Sequence, residues 1–261
     1  MNILVTGGNG YIAKSLVRAF SDYHNITSVT RNDFDLSDSV LTSKWFKDKK
    51  FDVVIHTAAV GGSRLTPDGQ DVIQQNLMMY YNLLSNKNHF DKFISFGSGA
   101  EIFHKDTPYG WSKKVIADCI AQTKNFYNIR IFGVFDENEL DTRFIKANIK
   151  KYIDGECITI HSNKIMDFFY MKDLCSLVQY YIETEEPQKE IDAVYQDRYT
   201  LIQISQMINE LGDSQVPIVV DDDINHSEYF GVSNLPIPTI GLREGIVHTY
   251  RELKTKKDGI L

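Results

Sequence analysis

Tyr109 and Lys113 stand four residues apart in Tyr-Gly-Trp-Ser-Lys, and Ser98 lies eleven residues before the tyrosine, at the end of an apolar run. On a helix, a spacing of four places the two side chains on one face, about a turn apart. An ammonium beside a phenol favours the phenolate, so the spacing predicts a Tyr109 pKa below the usual value of about 10. A phenol tuned this way can give or take a proton near neutral pH, and a serine hydroxyl can share the same substrate oxygen. The trio therefore reads as a proton-transfer site. Tyr-x-x-x-Lys alone equally suits an amphipathic helix with a buried tyrosine and a solvated lysine, so the elements around it must decide.

The chain opens on the apolar run Met1-Asn-Ile-Leu-Val5, followed at once by Thr6-Gly-Gly-Asn-Gly-Tyr-Ile-Ala13 and then by a helical pattern with Ile12, Leu16, Ala19 and Phe20 on one face. This is strand, tight glycine turn, helix. Gly7 permits the turn, and Gly10 lets the backbone approach a pyrophosphate. Tyr11 and Ile12 open the helix whose N-terminal N–H groups would receive it. Ala13 takes the third small position. A glycine loop without its flanking elements would carry little weight; here strand and helix flank it as dinucleotide binding requires.

Further along, short apolar strands are predicted at 26–30, 53–56, 92–96 and 129–132, with helices at 11–23, 39–49, 70–86 and 108–127 between them. Such alternation predicts an α/β fold with a doubly wound parallel sheet. After residue 133 the pattern loosens. Helices are predicted at 142–152, 172–183, 201–211 and 242–253, with short strands near Ile158, Phe168, Ala193 and 218–220. The expected organisation is a dinucleotide-binding core over 1–133. Residues 134–261 are expected to complete the sheet and to form a small α/β substrate cap.

Composition narrows the class. With 43% hydrophobic residues and 6 prolines in 261, the chain has ample core and no low-complexity linker. A net charge of −7 argues against a nucleic-acid binder. Three cysteines without regular spacing suggest reduced thiols and a cytoplasmic location. A first strand beginning near Met1 leaves no room for a signal peptide, and no apolar run reaches membrane-spanning length. The run Asp221-Asp-Asp223 reads as a solvated turn, because consecutive acids alternate direction and lack companion ligands; no metal is expected.

The chain resembles the NAD-dependent epimerase/dehydratase family of extended short-chain dehydrogenases/reductases, which act on nucleotide-linked sugars. The resemblance rests on the glycine turn, Asp35-Leu36, His56-Thr-Ala-Ala59, Asn76, Ser98, Tyr109-Gly-Trp-Ser-Lys113, Arg130-Ile-Phe-Gly133 and Asp167-Phe-Phe-Tyr-Met-Lys-Asp173. It implies a Rossmann fold, with Asp35 and Leu36 flanking the adenine and Ala58 and Ala59 near the pyrophosphate and ribose. It also implies that Lys113 holds the nicotinamide ribose and Asn76 braces the central strands. His56 reads as a satisfied histidine at a strand end. The apolar surface of Gln75-Asn-Leu-Met-Met-Tyr-Tyr-Asn-Leu-Leu84, with the Tyr109 helix, resembles the family's four-helix dimer contact and implies a homodimer.

The predicted second strand is followed by Arg31, with no acid before Asp33. A guanidinium there suits a 2′-phosphate, so NADP(H) is the expected cofactor, with NAD(H) left open. The family's 4,6-dehydratases carry Asp and Glu after the hydroxyl residue, where this chain has Gly99 and Ala100. The related GDP-fucose synthases use a Cys and a His, which align with Ala100 and Arg143. Neither Ala nor an always-protonated Arg can exchange protons. Glu101 is the remaining acid, and the local alternation aims it away. The expected reaction is NADPH-dependent reduction of a 4-keto-6-deoxy nucleotide sugar, with Tyr109 as acid, Ser98 polarising the carbonyl and Lys113 holding both Tyr109 and the ribose. An NAD-dependent nucleotide-sugar 4-epimerase is the alternative, and a reductase of a non-sugar carbonyl or a non-catalytic NADP-binding regulator are further ones. Arg143 and Lys151, on a basic helix, and Arg64, after Gly61-Gly62, are candidates for the nucleotide diphosphate; a solvated helix face explains the first two equally well.

Overall fold

The computed structural model describes residues 1–63, 66–221 and 228–259. In chain order the elements are β1 (Asn2–Thr6), α1 (Tyr11–Phe20), β2 (Asn25–Val29), α2 (Ser39–Phe46), β3 (Phe51–His56), α3 (Val72–Ser85), a 3-10 turn (Lys87–His89), β4 (Phe90–Ser98), α4 (Ala100–Phe103), α5 (Pro108–Ala121) and β5 (Phe126–Ile131). They continue with β6 (Val134–Phe135), α6 (Phe144–Asp154), β7 (Ile158–Ile160), β8 (Phe169–Tyr170), α7 (Met171–Glu183), β9 (Glu190–Ala193), α8 (Leu201–Asn209), β10 (Ile218–Val220) and α9 (Leu242–Lys257). Two compact units divide the chain: Met1–Ile131 with Val178–Asp192, and Phe132–Leu177 with Ala193–Leu261.

The first unit holds a six-stranded sheet in the order β2-β1-β3-β4-β5-β9. β1 pairs in parallel with both β2 and β3, and the parallel ladder continues through β4 to β5. Inner strands such as Ile3-Leu-Val5 and Val53-Val-Ile55 are buried on both faces, as a parallel sheet covered on two sides requires. The polar, half-exposed β2 takes the edge. Chain order reverses between β2 and β3 on either side of β1, and such a switch point is where this Rossmann-like arrangement opens a crevice beyond the strand ends.

Local chemistry places the helices. The Asp38 carboxylate caps α2 by accepting the Val40 and Leu41 N–H groups. Thr107 caps α5 through the Gly110 N–H, with Pro108 at the first helical position. The predicted helix 108–127 is too long: α5 ends at Ala121 and Phe126 already begins β5. Asn125, in the left-handed region at φ 60, makes the turn, and the Phe126 ring stacks on Phe93 with centroids 4.5 Å apart. A continuing helix would forfeit that core contact. β6, α4 and the 3-10 turn were not predicted, each being too short to show a period.

The second unit has two small parallel pairs, β7 with β10 and β6 with β8. Its core is built from Ile145, Ile149, Ile158, Ile160, Ile204 and Ile208, among others. α6 begins two residues later than predicted and is closed by Gly155, left-handed at φ 74. A reciprocal capping box between Thr200 and Gln203 opens α8. Among the described residues no helix is long and apolar enough to cross a membrane. No three His, Cys, Asp or Glu side chains among them gather as a metal-binding set.

Candidate active site

A cleft of about 470 Å³ opens at the switch point, lined by Gly7, Gly10, Arg31, Asp35, Leu36, Ala58 and Ala59 together with Thr6, Thr30, Phe34 and Met79. Gly7 is left-handed at φ 71, and a Cβ on it would lie 2.8 Å from the Ala58 Cα. The chain can turn here and pack this closely only as glycine. The Gly10 N–H donates to the Gly7 carbonyl at 2.8 Å, and Gly10 caps α1 without a side chain. The first-turn N–H groups therefore face no capping side chain, which suits a pyrophosphate. Tyr11 and Ile12 stand half-buried in the first turn of α1, outside the cleft lining. These features fit a bound dinucleotide.

The end of the cleft after β2 is polar in a particular way. The Asp33 carboxylate accepts both the backbone N–H and the hydroxyl of Thr30, at 2.8 and 2.9 Å, and these bonds hold its pKa down. Asp35 is engaged likewise by the Ser37 hydroxyl and N–H. Arg31 is exposed, donates to the Gln75 side-chain oxygen at 3.3 Å and acts on Asp35 through its charge. The nearest acid after β2 is thus turned back on its own loop, and a guanidinium lines the cleft.

Ser98 is the last residue of β4, and Tyr109 and Lys113 are on α5. The Lys113 Nζ lies 5.7 Å from the Tyr109 ring centroid and donates to the Phe96 carbonyl at 2.8 Å. Lys113 is only 7% exposed, and burial pushes its pKa down to about 8, against the pull of Glu101. Ser98 Oγ accepts the Ala100 N–H at 3.2 Å. His56 is buried and bonded through Nδ1 to the Thr6 hydroxyl at 2.8 Å; burial, then the Lys113 charge, pushes it down to about 3, so it is neutral. Asn76 departs from its expected role. It accepts the Val60 N–H and donates to the Val60 carbonyl and the Ser112 hydroxyl, bracing the segment after β3 against α5 rather than the strands.

Two sets of contacts at the site escaped the sequence. Asp68 accepts the Gly62 N–H at 2.7 Å and the Tyr109 N–H at 3.1 Å. It thereby holds the Gly62 backbone so close to the Tyr109 ring that a Cβ there would come within 2.8 Å of it. The Thr-Pro-Asp-Gly run signalled a turn, but nothing local aims its carboxylate. Glu101 was expected to point elsewhere. It does so: it is 1% exposed and turned beneath the end of β4, paired with the Arg130 Nε. Only the means differ: a single helical turn, α4, replaces the strand or turn alternation assumed for it.

The substrate-side candidates separate. Arg64 lies outside the described residues, as do Asp222 and Asp223, while Asp221 meets His161 at 3.0 Å. Arg143 and Lys151 belong to the second unit. Arg143 is the extended residue that caps α6, not part of its face. Lys146 and Lys150 share Asp141, at 2.8 and 2.9 Å, and Lys151 donates to the Thr159 hydroxyl at 2.5 Å. The expected basic helix is therefore largely neutralised, while the half-buried Arg143 guanidinium has no hydrogen-bond or ion-pair partner among the described residues.

A glycine cradle at the switch point, followed by a serine at a strand end and Tyr-x-x-x-Lys on the next long helix, defines an NAD(P)-dependent enzyme of the short-chain dehydrogenase/reductase class. The sequence model of the NAD dependent epimerase/dehydratase family matches residues 3–194, and the chain belongs to that family. It is similar to the CDP-abequose synthase of Yersinia pseudotuberculosis, 22% identical over a 246-residue alignment that covers 84% of this chain and 87% of that protein. Its fold is similar to that of GDP-mannoheptose C4 reductase from Campylobacter jejuni with NADP bound, with a TM-score of 0.79, 18% identity and coverage of 97% and 98% of the two chains. It is also similar to UDP-glucuronic acid 4-epimerase from Bacillus cereus in complex with UDP-glucuronic acid and NAD, with a TM-score of 0.77, 19% identity and coverage of 98% and 100%.

Proposed function

We propose that this enzyme reduces the 4-keto group of a nucleotide-linked 6-deoxy sugar with NADPH. The observation that carries the reading is the buried Lys113 ammonium beside the Tyr109 ring, close to a strand end whose next two residues, Gly99 and Ala100, cannot ionise. Glu101, the acid that follows, is occupied by donors beneath the strand. A single proton donor suits reduction of one carbonyl; dehydration or double epimerisation would require further acids and bases.

Gly7, Gly10, Ala58 and Ala59 would hold the dinucleotide, with Arg31 on the 2′-phosphate and Lys113 on the nicotinamide ribose. When bound, the reduced nicotinamide supplies the hydride. Tyr109 gives its phenolic proton to the ketone oxygen, and the Ser98 hydroxyl polarises that carbonyl. Lys113 steadies the phenolate left behind. The Arg143 guanidinium is the candidate for the substrate diphosphate, and the second unit is the candidate substrate-binding unit. The name of the relative CDP-abequose synthase, a nucleotide-linked sugar product, agrees with this substrate class. Exposed Met78, Tyr81 and Trp111 on α3 and α5 support a homodimer, which light scattering would test.

The decisive assay offers a panel of nucleotide-4-ketosugars with NADPH or NADH, follows loss of reduced-nicotinamide absorbance and identifies the product by NMR. Bound NAD and interconversion of epimers without added cofactor would establish the 4-epimerase instead. Reduction of simple ketones alone would point to a non-sugar carbonyl, and no turnover with intact NADPH binding to a regulator. Tyr109→Phe is expected to lower kcat by about 100- to 10,000-fold, the usual worth of a positioned acid, with dinucleotide affinity retained. A fully active variant removes Tyr109 from the chemistry. Arg31→Asp should shift the preference toward NADH; equal affinities before and after would refute the 2′-phosphate assignment.

A further inference from the structure

Glu101 is a buried acid for which the chemistry above has no use. Its Oε2 accepts the Ser98 N–H at 3.4 Å, while its Oε1 accepts from Asn128 Nδ2 at 3.2 Å and from the Arg130 Nε. Every one of these partners is a donor, so the carboxyl is held as an acceptor on both oxygens, the pattern of an ionised group. Burial pushes its pKa up, and Arg130 opposes that rise. Space for it is provided by Gly97, where a Cβ would lie 2.9 Å from Oε2. Arg130 in turn meets Asp192 and Glu190, on β9 of the same unit.

Lys113 needs a counter-charge. Its hydrogen bond goes to the uncharged Phe96 carbonyl of β4, and burial favours the neutral amine. From β3 it faces His56, which is neutral. α3 presents the uncharged amide of Asn76, bonded to the adjacent Ser112. On its own helix the neighbour is the Tyr109 ring. β5 brings Arg130, a like charge already committed to three acids. Glu101, from α4, brings the opposite sign to the same stretch of β4: its Oε2 lies against Gly97 and accepts the Ser98 N–H, next along the strand from the Phe96 carbonyl that Lys113 holds, and its field supports the ammonium.

We propose that Glu101 is a positioning residue, the buried counter-charge that keeps Lys113 an ammonium beside Tyr109 while its other oxygen steadies the Ser98 backbone. The catalytic consequence rests on the reading of Tyr109 and Lys113 given above; the charge pairing can be tested without it. In protein carrying [13Cε]lysine, the Lys113 signal is the one lost in Lys113→Arg, and its shift is followed against pH. The wild-type midpoint is expected near 8. Glu101→Gln should lower it by about one pH unit, the lower end of what a close opposite charge contributes. Asp192→Asn, which also touches Arg130, should leave it in place. If Glu101→Gln does not fold, Glu101→Asp, with the carboxylate withdrawn by one methylene, should give a smaller fall in the same direction. An unchanged midpoint in whichever variant folds overturns the proposal, as does an equal fall in Asp192→Asn. A purely structural Glu101 would alter stability but not this titration. Should the midpoint move while the alkaline limb of kcat stays put, the counter-charge stands and the catalytic reading of Lys113 fails.

Discussion

The two compact units each bury an ionisable side chain with a midpoint near 8, and they treat it differently. In the first unit, Lys113 sits among groups drawn from β3, β4 and α4, with Glu101 countering its desolvation. In the second, Glu139 is 6% exposed and burial pushes it up to about 8, because the Lys146 N–H, Arg143 and Lys146 only partly offset the loss of water. Its surroundings are local in sequence: Lys146 turns its Nζ to the Glu139 carbonyl and to Asp141, while the half-buried Arg143 acts on Glu139 through its charge. The first unit spends long-range contacts on keeping a buried cation charged. The second holds a carboxyl that is neutral until mild alkali, with the Arg143 charge only partly opposing that. The first balance depends on how distant strands are brought together; the second is set within one short stretch of chain.

The sharpest way to break the first half of this comparison is Arg130→Met. It leaves Glu101 and Asp192 buried without their shared cation, and loss of one member of a buried pair costs about 3–5 kcal/mol. Urea unfolding should show that loss; a variant as stable as wild type would mean that the acids are not held as ions.

Glu139→Gln addresses the second half. The folded midpoint of Glu139, about 8, lies above its ordinary value of 4.5, so its contribution to stability is complete below about 4.5 and lost as pH rises through 8. The variant should match wild type at pH 5 and exceed it by about 3 kcal/mol at pH 9, given about 1.4 kcal/mol per unit of displacement and some relaxation at the site. Equal stability at both pH values would place Glu139 in contact with water.

Lys113→Met gives a smaller effect of opposite pH sense. The folded midpoint near 8 lies below the ordinary 10.5, so the cost of burying this ammonium is complete below about 8 and fades as pH rises toward 10.5. At neutral pH the variant should be inactive yet more stable by about 2 kcal/mol, after allowance for the lost bond to Phe96. Thermal unfolding at pH 7 and pH 10 checks it, and a gain that persists at pH 10 would contradict the assignment.

Much of the first unit was legible because each signal there is local. The glycine turn needs only Gly7's left-handed backbone, and the four-residue spacing alone puts Tyr109 and Lys113 on one helical face. α3 and β1 begin and end within two residues of expectation because their apolar periods are strong. The misses have one physical character. The burial of Glu101 against Arg130 went unread because a single turn of helix has too few residues to declare a period. Asp68 and Asn76 act on backbone groups distant in sequence. The basic look of residues 143–151 faded once Asp141 took two of its cations, a pairing that charge counting cannot show.

From the residues alone came the alternation that makes a doubly wound sheet, the glycine turn and the spacing that sets Tyr109 and Lys113 on one helix after Ser98, since backbone sterics and short-range periodicity act within a few positions. Only the tertiary structure decided which charges are buried and what faces them. Desolvation and Coulomb energies depend on distances between strands that the chain brings together from far apart, and those distances set Lys113 near 8 and turn Glu101 inward.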